Sequence, residues 1–219
     1  ATDGSGIIAE KCMQKGIAPY GNARARAIVW TFVDQIPQHR EPIHSPRPDL
    51  AKKYPSFKDK AKQYRVDTKF ESLQQSKDFS KEFPINLTTG RLVNFSGAGM
   101  ETRASKYLSR ITPEMFADIH PELAAKHGIK NWDFVWVHSP EGTKIKVRAR
   151  IVPSVKPNMI FLPFHWAGYM QGVDMTGNFP DGTRPFAVGE SANTVTNYGY
   201  DIVTQIPETK GGLCRIERA

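Results

Sequence analysis

The clearest alternation of apolar and polar positions lies in "TKIKVRARIV", where Ile145, Val147, Ala149 and Ile151 share one face and Lys144, Lys146, Arg148 and Arg150 the other. A period of two is the signature of a half-buried strand, and the basic row reads as its wet side. "WDFVWVHS" precedes it, joined by "SPEGT", in which Pro140 suits the second turn position and Gly142 the fourth, so the two segments predict a hairpin. Shorter apolar runs predict further strands: residues 84–88 in "FPINLTTGR", "MFADIH", the continuous run "NMIFLPFHW" with both faces covered, and a closing "GLCRIER". "HPELAAKHG" has Pro121 fit for the first helical position and Gly128 for the left-handed position after the last turn, which predicts a two-turn helix.

The pattern is different toward the start of the chain. Residues 22–33, "NARARAIVWTFV", read as a short helix running into a strand. Prolines at 37, 42, 46, 48 and 55 follow. Each lacks an amide donor and biases its predecessor away from helix, so an extended arm is expected there. Residues 167–189, rich in Gly, Asn, Asp and Pro, read as a long loop that needs a function or a partner to offset its ordering entropy. The sum is a mainly β barrel or sandwich of about six strands with one or two short helices over residues 81–219, preceded by a connecting segment and proline-rich arm over residues 1–80.

Composition changes this picture little. With 39% apolar and 24% charged residues the chain is an ordinary folded protein. Its net charge of +8 divides as +5 over residues 1–80 (14 Lys+Arg against 9 Asp+Glu) and +3 over residues 81–219 (16 against 13). No run of five or six like charges occurs, which argues against a nucleic-acid arm, although a nucleic-acid-binding β-barrel is the competing class for so basic a chain. Cys12 and Cys214 cannot form a metal cluster alone, and no stretch has the ~18 apolar residues of a membrane helix. The first residue is not Met, and the chain reads as a piece of something longer.

The candidate chemistry sits after the first strand, in "TTGR" and "SGAGM". Thr88 and Thr89 offer hydroxyls, Gly90 admits close backbone approach, and Arg91 can grip a phosphate or a guanine carbonyl with a planar fork. "TTG" suits an ordinary turn as well. "SGAGM" supplies bare backbone whose successive amides can form a concave anion nest, but without the Gly-Lys-Ser/Thr ending of a phosphate loop. His165 and Trp166 end an apolar strand, and His120, His127 and His138 are too scattered for a metal site. There is no serine elbow and no activated cysteine, so no residue is assigned to catalysis or to a metal.

Taken in order, "LTTGR…SGAGMETR", "IHPELAAKHGIKNWDFVWVHSPEGTKIKVRARI", "IFLPFHW", "ANTVTN" and "IPETKGGLCRIE" resemble the C-terminal cofactor-binding domain of the molybdopterin oxidoreductases, above all the formate dehydrogenase large subunits. "IPQHREPIHSPRPDLAKKYPSF" resembles the stretch leading into it. The resemblance implies a double-psi β-barrel covering the guanine nucleotide halves of a bis-molybdopterin guanine dinucleotide that holds molybdenum or tungsten. It implies that Thr88, Thr89, Gly90 and Arg91 lie against the cofactor, with Ser96, Gly97 and Met100 of the turn. His165 and Trp166 would line the pterin side, Asn193 and Thr196 would hydrogen-bond further on, and Lys210 would face the polar edge.

Two departures stand out: Asn94-Phe95 replaces a histidine that many relatives carry after the arginine, and residues 167–189 look like an insertion. The resemblance further implies a two-electron oxidation of formate to carbon dioxide, or the same domain in a reductase of nitrate or another oxyanion. The cluster cysteines and the catalytic cysteine or selenocysteine would lie in earlier domains. The chain is therefore not expected to be catalytic, or necessarily to retain cofactor, in isolation. Its expected partners are the remaining domains of the large subunit, an iron–sulfur subunit and a membrane cytochrome subunit, with no nucleic acid and no direct membrane insertion. The implied compartment is the periplasm, otherwise the cytoplasm.

Overall fold

A computed structural model describes residues 14, 39, 41, 48–54, 77–197, 206–207 and 209–219. The chain divides into two compact units, Ala1–Pro37 and Gln38–Ala219. The helix-to-strand expectation over residues 22–33 and most of the proline-rich arm lie outside the described residues.

Where the arm is described it departs from the expected extended form: Pro48–Lys53 is an α-helix, α1. Proline's missing amide is harmless in the first turn, where no intrahelical acceptor exists. Asp49 near the start and Lys52 and Lys53 near the end complement the helix dipole.

In the second unit six strands close into a barrel: β1 Ile85–Gly90, β2 Phe116–Ile119, β3 Phe134–His138, β4 Lys144–Ile151, β5 Met159–Pro163 and a last strand, Gly212–Arg218 (β8). Two short strands, β6 Tyr169–Met170 and β7 Val173–Asp174, form a separate hairpin. Around the barrel the order is β1-β5-β2-β4-β3-β8, with β1/β5 and β2/β4 parallel and the remaining neighbours antiparallel. This is the mainly β, closed six-stranded architecture expected of a double-psi barrel. Two short helices accompany it, α2 Met100–Ala104 and α3 Pro121–Lys126. Closure removes free strand edges, leaving no row of unpaired amides to manage.

Inward positions are filled by β-branched and aliphatic side chains: Ile85, Leu87, Ile119, Val135, Val137, Ile145, Val147, Ile160, Leu162 and Ile216 are buried in one core. Cys214 lies among them, and burial drives its thiol pKa upward, keeping the thiol protonated. The predicted hairpin is present, its turn closed by the Gly142 amide donating to the Ser139 carbonyl at 3.1 Å. In α3, His120 caps the first turn through Nδ1, which accepts from the Glu122 amide at 3.2 Å, and Gly128 adopts φ 63° beyond the last turn.

The basic row of β4 is not simply a wet face. Lys144 sits 4.1 Å from the Trp136 ring, Arg148 3.6 Å from Phe134 and Arg150 3.8 Å from Phe116. Arg150 also grips buried Asp118 with both arms of its fork, at 2.6 and 2.9 Å. Cross-strand registers Phe134↔Arg148 and Trp136↔Lys146 set cations over aromatic faces, which half-buries the row. The β5 run likewise alternates, with Ile160 and Leu162 buried and Met159 and Phe161 only half-buried.

Candidate functional site

Because β1 and β5 run parallel, their C-terminal ends emerge at the same end of the barrel, carrying Thr89–Arg91 beside Pro163–Trp166. The Phe164 amide donates to the Gly90 carbonyl at 3.0 Å and so extends the pairing past the strand ends. Thr89, buried, donates its hydroxyl to the Thr209 carbonyl at 2.9 Å, drawing the segment before β8 to the same rim. There a groove of about 370 Å³ is lined by Ala98, Arg103, Phe164, His165, Trp166, Ser191, Asn193 and Thr209. Among the described residues no carboxylate lines it.

The loop of residues 96–99 supplies one wall through an uncommon backbone. Gly97, Ala98 and Gly99 all have positive φ, at 56°, 55° and 78°. A Cβ on Gly99 would meet the His165 Cβ and carbonyl oxygen at 2.6 Å, so only glycine permits this close approach. Three backbone donors of this stretch are used locally: the Gly99 amide donates to the Ser96 carbonyl, the Met100 amide to the Gly97 carbonyl, and the Ser96 amide to Thr102 Oγ1. The loop spends these donors on itself and presents Ala98 to the groove instead.

His165 itself has φ 92°, a conformation that costs an L-residue about 1–3 kcal/mol and that clusters at functional sites. Its pKa is lowered from the ordinary 6.5, first by desolvation and then by the positive charges of Arg91 and Arg103, so it is held neutral. Trp166 is buried against Phe95, ring centroids 4.0 Å apart, and its Nε1 has no hydrogen-bond acceptor among the described residues. Phe95 is thus core packing behind the groove.

Of the residues expected at a site, His165, Trp166 and Asn193 line the groove, Arg91 lies close enough to act on His165, and Thr89 anchors one wall. The others stand off it. Thr88 is half-buried opposite Phe161; Gly90 packs under that ring, where a Cβ would sit 2.6 Å from it. Ser96 donates to Glu101 at 2.6 Å, Gly97 and Met100 are exposed, and buried Thr196 donates to the Asn193 carbonyl at 3.2 Å. Lys210 is exposed next to Thr209.

The sequence reading missed Arg103, Ser191 and Thr209 as lining residues. For Arg103 a signal existed: it follows Gly99 by four positions, and a helical side chain leans back over the preceding turn.

A second hollow of about 370 Å³ lies outside the barrel between β4 and residues 167–189, lined by residues including Phe134, Lys146, Tyr169, Phe186 and Glu190. Buried Glu190 is already satisfied there, accepting from the amides of Lys146, Gln171 and Gly172 at 3.2, 3.0 and 2.5 Å. This carboxylate pins the β6–β7 hairpin, so residues 167–189 are tied down within the domain. Among the described residues no group of three His, Cys, Asp or Glu side chains is placed to hold a metal ion, and no helix is long and apolar enough to cross a membrane.

Comparison with known proteins converges on one family. The model of the molydopterin dinucleotide binding domain matches residues 85–213. The F420-dependent formate dehydrogenase 1 subunit alpha of Methanococcus maripaludis is 34% identical over 137 residues, 63% of this chain and 17% of that protein. Formate dehydrogenase 2 subunit alpha (cytochrome c-553) of Nitratidesulfovibrio vulgaris is 29% identical over 192 residues, 84% of this chain and 17% of the relative. The assimilatory nitrate reductase catalytic subunit of Bacillus subtilis is 34% identical over 100 residues, 46% and 14% of the two chains. The chain thus spans less than a fifth of the length of these relatives.

Proposed function

The chain belongs to the molydopterin dinucleotide binding domain family, and from that premise we propose that its groove seats the guanine dinucleotide of a bis-molybdopterin cofactor in the catalytic subunit of a molybdenum- or tungsten-dependent formate dehydrogenase. The observation that carries this reading is the donor set. The groove has two guanidinium groups at or beside it, an amide side chain and hydroxyls, and no carboxylate among the described residues that line it. A ligand rich in acceptor oxygens and negative charge fits such a lining; a cation does not.

When bound, the cofactor supplies two-electron redox chemistry at its metal. The chain's own residues bind and shield it. Arg91 offsets phosphate charge, and neutral His165 adds a hydrogen-bonding ring without a further positive charge. Asn193 and Ser191 offer polar groups to the ligand's edge. The Thr89–Thr209 bond fixes the lip, while the Trp166–Phe95 stack excludes water behind it. Formate is favoured as substrate because formate dehydrogenase alpha subunits recur among the relatives; the nitrate reductase match supports a second reading in which the same domain serves an oxyanion reductase. The names of the relatives, an alpha and a major subunit, support a place in a multi-subunit enzyme; the iron–sulfur subunit, the membrane cytochrome and the periplasm belong to the same proposal.

In the intact enzyme, Arg91→Ala should lower cofactor occupancy about tenfold or more at limiting cofactor, since charge-assisted hydrogen bonds are the strong ones, while the domain stays folded. Elemental analysis for molybdenum and tungsten reads the outcome. Full metal content in that variant would remove Arg91 from the site.

A further inference from the structure

We infer that Arg103 is a second phosphate-gripping residue of the groove, held in place by the segment of residues 167–189. This rests on the cofactor reading above and names how its diphosphate is held.

Arg103 closes the last turn of α2 and lines the groove beside His165 and Trp166. A guanidinium carries five N–H donors. Here Nε donates to the Gly99 carbonyl at 3.3 Å, which fixes the plane of the fork and leaves both terminal nitrogens uncommitted among the described residues. Three arginines on the barrel strands are paired with carboxylates, Arg148 with Glu114, Arg150 with Asp118 and Arg218 with Asp133, while Arg215 lies over the Phe83 ring. Arg103 has no carboxylate partner among the described residues, although it is partly buried and desolvation lowers its pKa with no anion opposing the shift. Placing a partly desolvated cation beside a neutral histidine, with another guanidinium acting on that ring, is unfavourable unless an anion completes the site.

The backbone is fixed from the other side. The Phe186 amide donates to the Arg103 carbonyl at 2.8 Å, and the segment that carries Phe186 is tied back by Glu190 and by the parallel bridge Gly168↔Gly189. The segment therefore orders the turn that presents the guanidinium. The geometry suits a diphosphate, whose oxygens can meet a pre-oriented planar fork.

The test is a titration of the full chain with guanosine diphosphate, inorganic pyrophosphate and guanosine, read from the Trp166 indole N–H resonance. The unsubstituted chain should bind the diphosphate and pyrophosphate. Arg103→Gln should weaken both by about tenfold or more and leave guanosine within about twofold; Arg103→Lys, which keeps charge but loses the fork, should fall between. Equal affinity of guanosine diphosphate for the unsubstituted and both substituted chains would overturn the role of Arg103 while leaving the cofactor reading intact. Equal weakening of guanosine and pyrophosphate would assign Arg103 to folding and overturn its role as a phosphate ligand. If the unsubstituted chain binds neither guanosine diphosphate nor pyrophosphate, the role of Arg103 is overturned, while the cofactor reading is decided by the metal content of the intact enzyme. Should Arg103→Gln not fold, the Lys variant decides: unchanged pyrophosphate affinity overturns the proposal.

Discussion

At the scale of single residues, His165 concentrates most of what is unusual about this domain. Its backbone is left-handed, its ring touches the Phe164 ring edge-on at a centroid distance of 4.7 Å, and its pKa is depressed by desolvation, Arg91 and Arg103. A histidine whose folded pKa lies below its unfolded value binds fewer protons in the native state, so stability is full above about pH 6.5 and declines as pH falls through the window below it. Histidine ring NMR should show His165 titrating below 6.5. Arg91→Gln should move that titration upward, because removing a neighbouring positive charge relieves the imidazolium. A midpoint unchanged by that substitution would mean that Arg91 does not act on the ring.

Two elements depend on buried charge. The parallel β2/β4 pair is clasped by Arg150 on Asp118, aligned in register. Arg150→Ala strips a buried carboxylate of its fork and should destabilise the barrel by about 1–3 kcal/mol, whereas Lys144→Ala on the same row loses only a half-buried cation–π contact, worth about 0.5–1 kcal/mol. Urea denaturation of the two variants distinguishes them. The β6–β7 hairpin depends on Glu190, which collects three backbone amides. Glu190→Gln replaces one acceptor oxygen with a donor facing amide donors. Hydrogen exchange at Gln171 and Gly172 should accelerate by about tenfold or more, with the barrel amides of β1 and β5 little affected.

For the whole molecule, the charge of +8 admits two anionic partners, a nucleotide cofactor or a nucleic acid. The barrel's basic row is stacked on Phe134, Trp136 and Phe116, which leaves fewer free cations to track a phosphate backbone than the sequence suggests. Ligand that binds only the native state stabilises it by RT ln(1 + [L]/Kd), about 2.7 kcal/mol at a hundredfold excess over Kd. Guanosine diphosphate should therefore raise the thermal midpoint with concentration, while single-stranded oligonucleotides at physiological salt should raise it far less. A larger shift with oligonucleotide, erased steeply by salt, would favour the nucleic-acid reading instead.

The sequence by itself determined the barrel strands and their turns, because alternation and turn residues act over a few positions: the "SPEGT" hairpin, the Pro121-to-Gly128 helix and the final β8 are all where local chemistry puts them, whereas the β6–β7 hairpin stands in residues that read as a loop. It also marked Arg91, His165, Trp166 and Asn193 through motif order. Tertiary structure alone decided the rest. Parallel pairing of β1 with β5, separated by some seventy residues in the chain, sets two distant strand ends side by side. That juxtaposition gives Arg103 its place at the groove and packs Gly99 against His165, and the pairing of β4 with β2 and β3 covers its basic row with aromatic rings. Such effects arise from long-range register and burial, for which periodicity along the chain carries no signal.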